Sequence, residues 1–192
     1  MNFSSTKLSP AGVLGGGQIG YKWQWMPSWV LGVETDFQGA AQKDSSCTLE
    51  CFVEGIDTRQ KLNWFGTARG IIGWATANDL WYFTGGYAYG KVESDGDFFR
   101  SDLGGVVATG ASSATKTGWT AGGGVETRLW NSNWSAKLEY LYMDLGHTSY
   151  DLMTTTAGSG LPSGSPLFKV DSAIRDHIFR VGVNYRFGPA NY

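Results

Sequence analysis

Along most of this chain apolar and polar residues alternate one by one, the period of a strand with two unlike faces, and helical spacing is scarce. In "GQIGYKWQW", Ile19, Tyr21, Trp23 and Trp25 share one face, and Gln18, Gly20, Lys22 and Gln24 the other. "WVLGVETDFQG" sets Leu31, Val33 and Phe37 against Gly32, Glu34, Asp36 and Gln38. "KLNWFGTARGIIGW" sets Leu62, Trp64, Ala68 and Ile72 against Asn63, Thr67 and Arg69. "LWYFTGGYAYGKV" is aromatic on both faces, so its sidedness stays open. "TGWTAGGGVETRLW" places Trp119, Ala121, Val125 and Leu129 opposite Thr120, Gly122, Gly124, Glu126 and Arg128. "WSAKLEYLYMDLG" places Trp134, Ala136, Leu138, Tyr140 and Tyr142 opposite Ser135, Lys137 and Glu139. In "HIFRVGVNYRF", Phe179, Val181, Val183, Tyr185 and Phe187 oppose Arg180, Gly182, Asn184 and Arg186.

The pattern predicts strands of roughly 10 to 13 residues, the length that crosses a membrane at a tilt. Their connections alternate. Residues 26–28, 76–79 and 130–133 read as short turns, and 41–60, 94–115 and 147–173 as long loops rich in Gly, Ser, Thr and Asp. Short turns at one end and long loops at the other mark an outer-membrane barrel with its turns in the periplasm. The expected fold is therefore all-β: an antiparallel up-and-down transmembrane β-barrel of the eight-stranded type, with seven strands clearly readable. No apolar run approaches the ~18 residues a membrane-crossing helix requires, and a β-barrel does not need one.

Tryptophan placement sharpens this picture. Trp23, Trp25, Trp29, Trp74, Trp81, Trp130 and Trp134 cluster at the short-turn end, and Trp64 and Trp119 lie near strand starts at the other. The indole ring favours the membrane–water boundary, where its body is buried and its N–H stays wet. Two such bands, one strand apart, are the expected aromatic girdles. The competing reading, the core of a soluble ligand-carrying barrel, gives no reason to sort tryptophan to the strand ends.

If the apolar faces meet lipid, the polar faces line the interior. These carry Lys22, Arg69, Arg128, Lys137, Arg180 and Arg186 against Glu34, Asp36, Glu126 and Glu139. Charges inside a narrow barrel must pair, because an uncompensated buried charge costs several kcal/mol. An interior of this size is just wide enough for side chains to fill it. An ion-pair plug is expected rather than an open pore, with Asp144 or Glu93 as further anions. The net charge of −2 and pI near 5.6 give no basic footprint, so no nucleic-acid partner is expected.

The C-terminal "RVGVNYRF" fits the pattern polar, x, Gly, x, x, aromatic, x, aromatic through Arg180, Gly182, Tyr185 and Phe187. That pattern resembles the assembly signal of bacterial outer-membrane proteins, although "GPANY" follows where the signal usually ends the chain. "GGGQIGYKWQ", "LNWFGTARGIIGWA", "YFTGGYAYGKV" and "LEYLYMDLG" resemble, in order, the alphaproteobacterial small porin-like outer-membrane β-barrel family, relatives of the OmpA-like membrane barrel. The resemblance runs over residues 12 to 187. It implies an eight-stranded barrel in the cell outer membrane, surface-exposed and often immunogenic, with a structural or porin-like role in the envelope. It also implies outer-membrane lipids and the barrel-assembly machinery as partners, and an external ligand met through the long loops. Some relatives bind haem compounds, so a surface receptor for haem or a host ligand is the alternative function. No cofactor and no enzymatic activity are expected.

Family members begin with a strand near "WTGFYVG", and no such segment is read here. The expectation is a shortened form: a gene fragment, a wrong start, or a chain without its signal peptide and first strand. Residues 1–12 are then a loop remnant, 13–187 the barrel and 188–192 a tail. Cys47 and Cys51 fit a small disulfide loop in an oxidising compartment, with free thiols next and metal binding last. His147 and His177 are expected near the long-loop rim, where adjacent strands could bring them together beside Asp144 and Asp176 as a weak metal or haem contact. "GVLGGGQIG" and "TAGGGVE" are strand glycines rather than phosphate loops, since no helix follows either.

Overall fold

The computed structural model describes residues 14–48, 54–100, 105–130, 132–155 and 162–187. They form β1 (Leu14–Met26), β2 (Trp29–Thr48), β3 (Glu54–Ala75), β4 (Asp79–Arg100), β5 (Gly105–Arg128), β6 (Trp134–Thr154) and β7 (Pro166–Tyr185). One antiparallel sheet takes them in chain order, the up-and-down meander that the alternation predicts. Among the described residues no ladder joins β1 to β7. Across that seam the Gln18 Nε2 amide donates to Asn184 Oδ1 at 2.6 Å.

The strands are longer than expected: β2 to β7 run 20 to 24 residues. Much of what composition marks as long loops is strand. Residues 42–48 pair with 56–62, and 92–100 pair with 105–114, as hairpin extensions beyond the upper tryptophans. Gly and Asp are poor strand formers in isolation, but cross-strand pairing outweighs that preference. The expected segments 1–12 and 188–192, and Cys51 of the expected disulfide, lie outside the described residues.

Register converts the alternation into two surfaces. The row Glu34–Arg69–Gly86–Thr120–Met143–Asp176 faces inward across β2 to β7. The row Trp29–Trp74–Trp81–Val125–Leu138–Val181 faces outward. Sidedness in β4, left open by its aromatics, is now clear: Trp81, Phe83 and Tyr87 are exposed, whereas Tyr82 is buried. Leu62 departs from expectation. A bulge between Leu62 and Trp64 shifts the parity of β3, so Leu62 turns inward and is buried while Trp64 stays outside. Outside the bulge, Gly66 faces its register partner Tyr89, whose ring lies so close that a Cβ on Gly66 would sit 2.6 Å from it.

The interior is layered. Near the short turns Val30, Ile71, Ala75, Leu80 and Tyr82 pack beneath β2 to β4. Above them lies a belt of charged residues. Beyond the belt, toward the long hairpins, Leu62, Phe65, Ala88, Val92, Leu141, Met143, Leu145, Ile174 and Ile178 form an apolar layer. Phe98, Val107, Ala108 and Leu152 form another inside the extended hairpins.

Candidate functional site

The charged belt is the densest chemistry in the molecule. Alternation alone aims its members inward, and inner-face glycines such as Gly86, Gly122 and Gly124 leave room for long side chains. Arg69 is the hub. Its Nη2 bonds Glu34 at 2.5 Å and Asp36 at 2.9 Å, and its Nη1 bonds Glu139 at 3.0 Å. Lys137 bonds Glu34 at 2.7 Å and lies 3.3 Å from Glu139. Arg180 pairs with Glu139 and lies 3.2 Å from Asp36. Lys22 pairs with Glu126. Glu34, Asp36, Arg69, Glu126, Lys137 and Glu139 are all buried. The charges thus neutralise one another across the lumen, which is how a buried ion network avoids the cost of a lone charge.

Hydroxyls and amides complete the belt. Thr67 donates to Asp36 at 2.6 Å, Ser135 to Glu126 at 2.5 Å and Tyr82 to Glu139 at 2.9 Å. The Tyr82 ring also lies between Lys22 and Lys137, whose ammonium groups stand 5.9 and 5.6 Å from its centroid. Thr67 and Ser135 share the polar parity and are readable from it. Tyr82 is not, because β4 is aromatic on both faces. Arg128 and Arg186 continue the same inner face toward the short turns, both half-buried.

The two further anions do not join the belt. Asp144 pairs outside with Arg175 at 3.1 Å, and Glu93 pairs with Lys91 at 3.2 Å on the outer face of the β4 extension. A hydrogen bond from Asn63, and then Lys91, hold the half-buried Glu93 carboxyl below the usual carboxylate range. The histidines are not brought together either. His177 stands opposite Tyr142 and His147 opposite Ala173 in the β6–β7 ladder. His177 lies outside with its Nδ1 2.6 Å from the Tyr140 hydroxyl, whereas Asp176 is buried inside.

The tryptophans all sit on the outer surface. Trp23, Trp25, Trp29, Trp74, Trp81, Trp119, Trp130 and Trp134 are exposed, and Trp64 is half-covered by Phe37 and Tyr89. Trp29 meets Trp74 edge-on at 5.3 Å, and Trp74 is in turn the register partner of Trp81. Of the C-terminal motif, Tyr185 and Phe187 are exposed and stack edge-on at 4.9 Å, and Arg180 belongs to the belt. Gly182 faces inward beside Lys137.

An outward-facing apolar exterior around a buried charged interior is the inverse of a soluble barrel and defines a membrane β-barrel. Comparison with known proteins agrees. The family model described as outer membrane protein beta-barrel domain matches residues 2–187, and the chain belongs to that family. It is 40% identical over 184 residues to the 31 kDa outer-membrane immunogenic protein of Brucella melitensis, covering 95% of this chain and 70% of that one. It is 33% identical over 152 residues to the 22 kDa outer membrane protein of Rhizobium leguminosarum, covering 78% and 62% respectively. The 25 kDa outer-membrane immunogenic protein of Brucella melitensis is 27% identical over 158 residues, covering 82% and 58%. No solved structure matches. The protein is an outer-membrane β-barrel protein, located in the outer membrane.

Proposed function

We propose that the protein serves the envelope as a structural, non-conducting barrel rather than as an open porin. One observation carries this reading: the lumen is filled. The Arg69 hub ties β2, β3 and β6 together across it, and the layer from Leu62 and Phe65 to Leu145 and Ile178 lies above. A hydrated ion would have to part buried ion pairs and then cross apolar side chains without partners, each step costing several kcal/mol. The role is non-enzymatic. Outer-membrane lipids cover the outward aromatic bands, and residues 180–187 address the chain to the assembly machinery. The extended hairpins meet the exterior, a reading supported by the immunogenic relatives.

The receptor alternative has less support. The separation of His147 from His177 removes the haem or metal pair on which the residues themselves would have built it.

Deleting the gene tests the proposal. Loss of a structural barrel raises sensitivity to detergent while uptake of small hydrophilic solutes stays unchanged. A fall in solute uptake, with detergent resistance intact, returns the protein to the porins.

A further inference from the structure

The carboxylates of the charged belt are all engaged: Glu34 and Asp36 by Arg69, Glu139 by Arg69, Lys137 and Arg180, and Glu126 by Lys22. Arg128 is not among their partners. It ends β5 on the inner face, at the short-turn mouth, in register with Ser135, whose hydroxyl is already given to Glu126. Among the described residues the Arg128 Nη2 is buried with no hydrogen-bond partner. A cationic nitrogen taken out of water without an acceptor is costly, so this group calls for a compensating anion. Lys22 reaches the same level through Glu126.

We propose that the short-turn mouth of the barrel binds a phosphate-type oxyanion, with Arg128 as its principal ligand. A guanidinium presents paired donors in a plane, which matches two oxygens of one phosphate better than an ammonium would. The short turns are the periplasmic end of such barrels. The oxyanion is therefore either free phosphate or a phosphate carried by an inner-leaflet head group. The site lies below the belt and does not depend on whether the lumen conducts.

The full chain, refolded in detergent micelles, supplies the test. Thermal unfolding is followed by the band shift between folded and unfolded protein on a cold gel. One arm adds inorganic phosphate against sodium chloride at matched ionic strength. A second arm replaces part of the detergent with short-chain phosphatidic acid or, as control, phosphatidylcholine. A saturable rise in midpoint with phosphate assigns the free ion, and a rise only with phosphatidic acid assigns the head group. In either case Arg128→Gln must raise the half-saturating concentration about tenfold or more, the size of one lost charge-assisted hydrogen bond. Should Arg128→Gln give no folded band, Arg128→Lys keeps the charge without the fork and must still weaken the response. Equal stabilisation by chloride, no response in either arm, or an unchanged half-saturation in whichever variant folds overturns the proposal.

Discussion

Arg69 and Glu139 lie on β3 and β6, with β4 and β5 between them in the sheet, and bond at 3.0 Å with both side chains fully buried. Neighbouring strands cannot mediate that contact. It is made across the lumen, so the charged belt spans the barrel interior as well as lining it.

Removing the hub leaves Glu34, Asp36 and Glu139 facing one another with less positive charge among them. Arg69→Ala is expected to destabilise the folded barrel by about 3–5 kcal/mol. Urea unfolding in detergent micelles measures the loss. Adding Glu139→Gln to Arg69→Ala should cost less than the two single changes summed, by at least about 0.5 kcal/mol, because the residues share one network. Strict additivity would separate them.

On the outer face Tyr89 covers Gly66, its register partner. Gly66→Val pushes that ring aside and disturbs its edge contact with Trp64, at 6.2 Å between centroids. The expected penalty is about 1–3 kcal/mol. It should shrink when Tyr89→Ala vacates the space in the same chain. A penalty indifferent to Tyr89 would mean that the backbone, not the ring, sets the limit.

Trp130 holds a left-handed φ of 47° in the turn between β5 and β6 and is almost fully exposed. A bulky residue in that conformation is strained by about 1–3 kcal/mol and persists only where something offsets it. If the offset is the membrane boundary, Trp130→Gly leaves or raises stability in detergent but lowers it in lipid vesicles. Stabilisation in both media would remove Trp130 from the aromatic band.

Phe187 is 91% exposed and touches Tyr185. Its side chain contributes little to the interior, so Phe187→Ala should refold in vitro with stability within about 0.5 kcal/mol of the parent. In cells the same variant should reach the outer membrane in reduced yield if residues 180–187 address the assembly machinery. Equal yields would leave Phe187 without that role.

Much of this site was legible in the alternation. Glu34, Asp36, Arg69, Glu126, Lys137 and Glu139 share one parity on regular strands, and a period of two fixes their side without further knowledge. Legibility fails where the period breaks. The bulge at Leu62 hides an inward leucine among outward residues, and the paired aromatics of β4 conceal Tyr82. The length of the strands was hidden for another reason. Segments such as 110–118 are Gly-, Ser- and Thr-rich, and strand pairing there is a property of the β4 partner as much as of the segment itself. The apolar layer above the belt was missed too, since Leu141, Met143 and Leu145 continue in β6 the face that Ser135, Lys137 and Glu139 marked as polar.

The filled lumen is tested most directly by planar-bilayer conductance of the refolded protein. A plugged barrel leaves the current at baseline across the voltage range, with the folded band shift verifying that protein is present. Steady, reproducible steps of porin size from the unmodified chain would contradict it.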